Sequence, residues 1–169
     1  MKERLKKMIC VRRKGASKKK LCFVASSGGH WEELMCLDTI AQKNSSFFVT
    51  EDGAQAEGFC QKKIYTLPQI NRHEKYFLLH FLKLFTKAGK IIFNEKPDVV
   101  ITTGALIAFP FCLFVKLRGG KVVYIESFAR VHDASLTGKL VYRFADLFIV
   151  QWETMIDVYP RAKYVGGIF

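Results

Sequence analysis

The chain has 169 residues, half of them hydrophobic, and carries 27 Lys or Arg against 15 Asp or Glu, a net charge of +12. That length suits one domain, which buries roughly 70% of its unfolded surface and needs no disulfide or metal staple. The five cysteines, Cys10, Cys22, Cys36, Cys60 and Cys112, are odd in number and follow neither C-x-x-C nor Cys/His spacing, so they indicate no disulfide framework and no zinc site.

The charge is concentrated at the start: residues 1–20 hold ten Lys or Arg against one Glu, +9 of the total +12. The best apolar run there, Met8-Ile9-Cys10-Val11, is too short for a signal peptide or a membrane span. The expectation is a basic arm, either a solvated tail or a segment that meets an anionic membrane surface or nucleic acid. Leu21 to Val24 reads as a buried strand, and Leu34, Leu37 and Ile40-Ala41 recur at helical spacing. Between them Ser26-Ser27-Gly28-Gly29-His30 makes a tight strand-to-helix turn. Such a turn brings backbone amides and a helix dipole toward an anion, usually a phosphate, although the full G-x-G-x-x-G fingerprint is missing. The bland alternative is a plain β–α turn.

Ser46 to Thr50 reads as a second strand closed by Glu51-Asp52-Gly53, and Lys63 to Leu67 as a third, closed by Pro68. A long helix is expected from His73 to Lys96. Eight of its positions between Tyr76 and Phe85 are apolar, too many for one stripe, so it is either buried on both sides or shows an apolar, Lys-rimmed patch to lipid or a partner. Pro97-Asp98 introduces the strand Val99 to Thr103, which breaks at Gly104 into an apolar helix, Ala105 to Leu117, closed by Gly119-Gly120. Val122 to Ile125 is the next strand, ending in Glu126-Ser127. A polar loop then leads to a helix from Leu136 to Ala145, a strand from Leu147 to Gln151, a short helix from Glu153 to Val158 and a last strand from Lys163 to Val165. Alternating elements with near-continuous apolar strands define an α/β domain over residues 21–169, a single Rossmann-like doubly wound parallel sheet. Ligands of such sheets lie beyond the carboxyl ends of the strands, where three turns converge: 26–30, Thr102-Thr103-Gly104 and Glu126-Ser127.

Six segments carry a resemblance: S-S-G-G-H at 26–30, E-K-P-D-V-V-I-T-T-G-A at 95–105, Y-I-E-S-F-A-R at 124–130, S-L-T-G-K-L at 135–140, A-D-L-F-I-V-Q-W-E at 145–153 and the ending Y-V-G-G-I-F. With them the chain resembles the PssD/CpsF/EpsE group of bacterial capsule and exopolysaccharide proteins. Their eukaryotic relative is the membrane-recruiting subunit of the split UDP-N-acetylglucosamine transferase of lipid-linked oligosaccharide synthesis. The resemblance implies the N-terminal half of a split GT-B glycosyltransferase such as MurG, peripheral at the cytoplasmic face of the plasma membrane. That half binds a polyprenyl-diphosphate-linked sugar acceptor, recruits a separate donor-binding chain that holds the UDP-sugar, and has little activity alone. Eukaryotic relatives carry an N-terminal span where this chain has its basic arm.

Under that reading, Ser27, Gly28, Gly29, Thr103 and Gly104, with Arg130 and Lys139, would hold the acceptor's phosphates. His30, with an unperturbed pKa of about 6.5, would hold phosphate when charged or act as base when neutral, unless it is only a helix-start histidine bonded to backbone. By likeness to the acidic loop of MurG-like enzymes, Glu126 would accept a sugar hydroxyl bond or the proton, unless it pairs with Arg130; His132 adds another positive group. Phe77, Phe81 and Phe85 would meet the membrane. Ile168 and Phe169 would dock the partner, as the terminal segment does in that family, unless the tail folds back on its own sheet. No D-x-D pair occurs, so a mechanism without metal or other cofactor is expected. Two other classes fit the sequence less completely. A nucleotide-binding oxidoreductase fits Glu51, an acid closing the second strand, but not the glycine spacing. A nucleic-acid binder fits the basic arm, but the aromatics fall in strands and the long helix and no RNP-type motif occurs.

Overall fold

The structure, a computed structural model, describes residues 19–52, 62–70 and 74–168. Almost all of the basic arm, together with Gly53, Cys60, His73 and Phe169, therefore lies outside the described residues. Seven strands form one parallel sheet: β1 (Lys20–Val24), β2 (Ser45–Glu51), β3 (Lys63–Leu67), β4 (Val99–Thr102), β5 (Lys121–Ile125), β6 (Leu147–Val150) and β7 (Lys163–Tyr164). Their order is β3-β2-β1-β4-β5-β6-β7. The chain starts at the centre, winds outward through β2 to β3, crosses back, and builds the other half from β4. That reversal puts the topological switch point between β1 and β4, paired in register from Leu21 opposite Val99 to Val24 opposite Thr102. The doubly wound α/β expectation is met.

The helices are α1 (Gly29–Met35), α2 (Asp38–Gln42), α3 (Phe77–Glu95), α4 (Ala108–Leu117), α5 (Leu136–Val141) and α6 (Met155–Val158). Successive strand residues point to opposite faces, so Cys22 and Val24 enter a core beneath α3, α4 and α5, whereas Leu21 and Phe23 enter one beneath α1 and α2 with Trp31, Leu34 and Ile40. Both faces are covered, which is why these strands read as apolar runs.

Several boundaries differ from expectation for local reasons. The first helix breaks at Leu37, with φ −97° and ψ 5°, giving α1 and α2. α3 stops where Lys96 turns left-handed at φ 49° ahead of Pro97, whose ring disfavours a helical predecessor. α4 starts three residues late because Gly104 (φ 110°) and Ala105 (φ 74°) both have non-helical backbone. Pro110 is tolerated in its first turn, where an N–H would lack an intrahelical acceptor. Lys20, counted with the arm, is the first residue of β1, with its ammonium 2.5 Å from Glu95.

The long helix carries an exposed apolar face. At about 100° per residue, Leu78, Leu82, Phe93 and Leu79 form one stripe and Lys90, Lys83 and Lys87 an adjoining one, with Leu78 69% exposed. The phenylalanines expected to meet a membrane are instead half-buried. Phe77 stacks on Phe81, Phe81 meets Phe85 edge to face, and Phe85 packs on Phe109 and Phe114 of α4. The outward apolar surface is therefore the leucine stripe.

Candidate functional site at the sheet's switch point

The β1–α1 turn begins the site. Gly28 has φ 78°, a left-handed conformation that costs a side-chain-bearing residue roughly 1 kcal/mol or more, and its carbonyl accepts the N–H groups of Trp31 and Glu32 to start α1. Gly29 does not share that requirement. The conformational demand of the G-G pair thus falls on the first glycine. Ser27 is tied down from β2, because its backbone hydrogen-bonds to the Glu51 carboxylate. Burial holds that carboxyl above its ordinary range despite this bond. Glu51 closes the second strand, as a ribose-binding acid would, but it is buried beneath the turn and serves the turn's shape.

The β4–α4 turn meets the first one directly. Thr103 Oγ1 donates to the His30 carbonyl at 2.7 Å, and the Gly104 N–H donates to Thr102 Oγ1 at 3.0 Å. Thr103 and Gly104 were expected to turn backbone amides toward a phosphate; the Gly104 N–H is engaged within its own turn, and the Thr103 hydroxyl positions His30. A Cβ on Gly104 would sit 3.0 Å from the Tyr124 hydroxyl and 3.4 Å from His30 Cε1, so this glycine leaves the imidazole its space.

His30 lines the crevice with its side chain 31% exposed and its Nδ1 buried without a hydrogen-bond partner. Burial lowers its pKa, opposed by the Thr103 backbone and the Glu126 charge and assisted by the Arg130 charge. The ring is thereby biased toward the neutral form that a base requires. One helical turn on, Glu33 is 4% exposed. Its Oε1 accepts the Phe128 N–H at 2.7 Å and the Ser127 hydroxyl at 3.3 Å, and its Oε2, without a hydrogen-bond partner, lies 4.0 Å from His30 Nδ1. Burial pushes the Glu33 carboxyl up to about 7, outweighing those two bonds. Glu33 is absent from the expected site residues. The i, i+3 spacing from His30 was the available signal, but the exposed Glu32 beside it reads the same in sequence.

Glu126 is a correction. It is 1% exposed and faces inward, where its Oε2 accepts from the Tyr159 hydroxyl at 2.8 Å, the Ser135 hydroxyl at 3.1 Å and the Ser135 N–H at 3.4 Å. Its Oε1 accepts the Ser127 N–H at 3.2 Å. A carboxylate so enclosed cannot reach a sugar hydroxyl, and it makes no ion pair with Arg130 either. It anchors the 127–135 loop and the start of α5, where Ser135 caps the helix by accepting the Gly138 N–H at 2.9 Å. Arg130 and His132 are exposed on that loop, with Arg130 near enough for its charge to act on His30. Lys139 is exposed on α5, and its side chain makes no ion pair among the described residues.

The tail is a second correction. Ile168 is 2% exposed, packed in the core beneath α1 and α2, and its N–H donates to Gln151 Oε1 at 2.8 Å. Gln151 Nε2 in turn donates to the Glu126 carbonyl at 3.0 Å, and Trp152 Nε1 to the Phe128 carbonyl at 2.7 Å. The expected apolar hook is therefore folded onto its own sheet at Ile168.

The fold is that of one half of a GT-B protein. Acinetobacter baumannii MurG superposes with a TM-score of 0.69 at 19% identity, over 88% of this chain and 45% of its own. UDP-N-acetylglucosamine 2-epimerase from Rickettsia bellii gives 0.68 at 14%, over 90% and 46%. The chain thus spans less than half the length of either, and the likeness is one of fold. In sequence, residues 21–168 match the family described as oligosaccharide biosynthesis protein Alg14 like, and the chain belongs to that family. Two UDP-N-acetylglucosamine transferase subunits ALG14 are similar over 180 residues, covering 88% of this chain and 82% of their own: that of Homo sapiens at 37% identity and that of Rattus norvegicus at 30%.

Proposed function

We propose that the protein is the acceptor-binding subunit of a membrane-associated glycosyltransferase that builds a lipid-linked oligosaccharide for capsule or exopolysaccharide. In this reading a separate chain holds the UDP-sugar, and this chain recruits it to the cytoplasmic face of the plasma membrane. The observation that carries the reading is His30: within a family whose relatives are named as transferase subunits, it stands half-buried at the switch-point crevice, held by Thr103 and biased to its neutral form. As the acceptor hydroxyl attacks the sugar's anomeric carbon and the bond to the nucleotide diphosphate breaks, His30 takes the hydroxyl proton. Ser27, Gly28 and Gly29 border the acceptor diphosphate, with Arg130 supplying positive charge from the facing loop. The leucine stripe of α3 with Lys83, Lys87 and Lys90 suits a peripheral contact with anionic lipid. Among the described residues no helix is long and apolar enough to cross a membrane.

The test is reconstitution with a donor-binding chain, a UDP-sugar and a polyprenyl-diphosphate-sugar. Transfer should require both chains, and His30→Ala should lower it at least about a hundredfold with melting nearly unchanged. A His30→Ala chain that supports transfer at the wild-type rate overturns the assignment of the base.

A further inference from the structure

We propose that Glu33 is the positioning residue for His30, taking the Nδ1–H hydrogen bond so that the imidazole presents an unprotonated Nε2 to the crevice. The inference rests on the reading of His30 as the base and adds to it the group that sets its tautomer and receives its charge.

The geometry supplies the argument. Residues three apart on a helix share a face, so α1 alone brings the Glu33 carboxyl beneath the His30 ring. One oxygen of that carboxyl is fixed from across the crevice by the Phe128 N–H and the Ser127 hydroxyl. The second is aimed at His30 Nδ1 over 4.0 Å, and neither of these two buried atoms makes a hydrogen bond in the structure, the Thr103 backbone being the other acceptor close to the ring. Two buried polar atoms in that state each carry a desolvation cost, which one hydrogen bond between them removes. A gap of 4.0 Å exceeds a hydrogen bond by about 1 Å, a distance a small rotation of either side chain covers, and catalytic contacts commonly tighten when substrate arrives. Because Nδ1 is shut off, the exposed part of the ring is the edge that carries Nε2.

The other groups acting on His30 come from the neighbouring strands: the Thr103 backbone after β4, and Glu126 and Arg130 after β5. Of these, Glu126 is enclosed by Tyr159 and Ser135, so Glu33 is the carboxylate that can meet the ring. Burial raises the Glu33 carboxyl to about 7 and lowers His30 from its ordinary value, so both shifts favour the uncharged pair. With Glu33 ionised and His30 neutral, the shared proton sits on Nδ1 and Nε2 is a base. With Glu33 protonated it donates to Nδ1, and the ring carries its proton on Nε2. Base competence therefore rises with pH through about 7.

Long-range proton–nitrogen correlation spectra of the isotopically labelled chain read the tautomer directly, without any activity. The expected result is an Nδ1–H imidazole above pH 7.5 in the wild type and an Nε2–H imidazole in Glu33→Gln, whose amide oxygen stays on the Phe128 N–H and so turns its NH2 toward Nδ1 as a donor. In the reconstituted pair, Glu33→Gln should lower kcat at least about a hundredfold with little change in acceptor KM. It should also lose the limb of the pH profile that rises through about 7. An Nε2–H tautomer in the wild type at high pH overturns the proposal, and that spectrum decides it even where the variant does not fold. A tautomer and titration unchanged in folded Glu33→Gln overturn it equally. If the tautomer switches while transfer stays at the wild-type rate, the pairing stands and the reading of His30 as the base falls.

Discussion

At the scale of single residues, the glycines separate into those that shape a turn and those that make room for chemistry or packing. A Cβ on Gly138 would lie 2.2 Å from Glu126 Oε2, 2.5 Å from the Tyr159 hydroxyl and 2.7 Å from Ser135 Oγ. Gly138→Ala must therefore break a buried polar network, at about 3 kcal/mol or more, and lower Tm by roughly 6–12 °C. Gly29→Ala, with nothing within 4 Å of the added carbon, should stay within about 0.5 kcal/mol of the wild type. Calorimetry of the two variants checks both. Glu33 gives a pH signature: its folded pKa of about 7 exceeds the usual 4.5, so the folded state keeps a proton that the unfolded chain has lost. Its contribution to stability is present below about pH 4.5 and is lost as pH rises through about 7, by at most about 3 kcal/mol. Denaturant melts at pH 5 and pH 8 should show this loss, and Glu33→Gln should remove most of it. Equal slopes in the two proteins would refute the assignment. These roles were only partly legible: S-S-G-G-H marked the crevice, but the inward turn of Glu126 depends on Tyr159, 33 residues away.

At the scale of elements, α3 combines a buried face, Leu84, Ala88, Ile91 and Ile92, with an exposed leucine stripe and a lysine stripe beside it. The Arg118 guanidinium, 5.4 Å above the Phe93 ring, extends the cationic border. Leu78→Glu with Leu82→Glu alters side chains that are 69% and 56% exposed, so folding stability should shift by only about 0.5 kcal/mol each. If the face lies on lipid, each lost leucine removes roughly 1.5–3 kcal/mol of burial, so sedimentation with anionic vesicles should weaken at least about tenfold per residue. Unchanged sedimentation would eliminate this face as the membrane contact. The apolar excess of the segment was plain in the sequence, and so was the choice between burial and exposure. Which residues face outward was not, because that depends on where α4 places Phe109 and Phe114 against Phe85.

At the scale of the whole molecule, most of the recognisable segments after β4 meet at one end of the sheet and hold each other there. Glu126, Ser135, Gly138, Gln151, Tyr159 and Ile168 form one connected set, in which the 127–135 loop, the start of α5 and the tail are mutually fixed. The parallel order of strands was readable from alternation and apolar runs, since those follow from covering both faces of a sheet. This knot was not, because the bonds that tie it together reach as far as 33 residues along the sequence and only the fold brings their ends together. It changes what the tail should do: Ile168→Ala removes a buried side chain and should cost about 2–5 kcal/mol, where a free hook would leave melting unchanged. The knot also braces the rim at the carboxyl ends of the strands, where ligands of such sheets bind and where the proposed donor-binding chain would close. Hydrogen exchange with and without that chain should therefore show new protection in residues 26–30, 104–107 and 128–134. The opposite end of the sheet, around Asp98 and Lys121, should exchange as before. Protection confined to α3 would instead assign the leucine stripe to the partner and leave the membrane contact to be sought elsewhere.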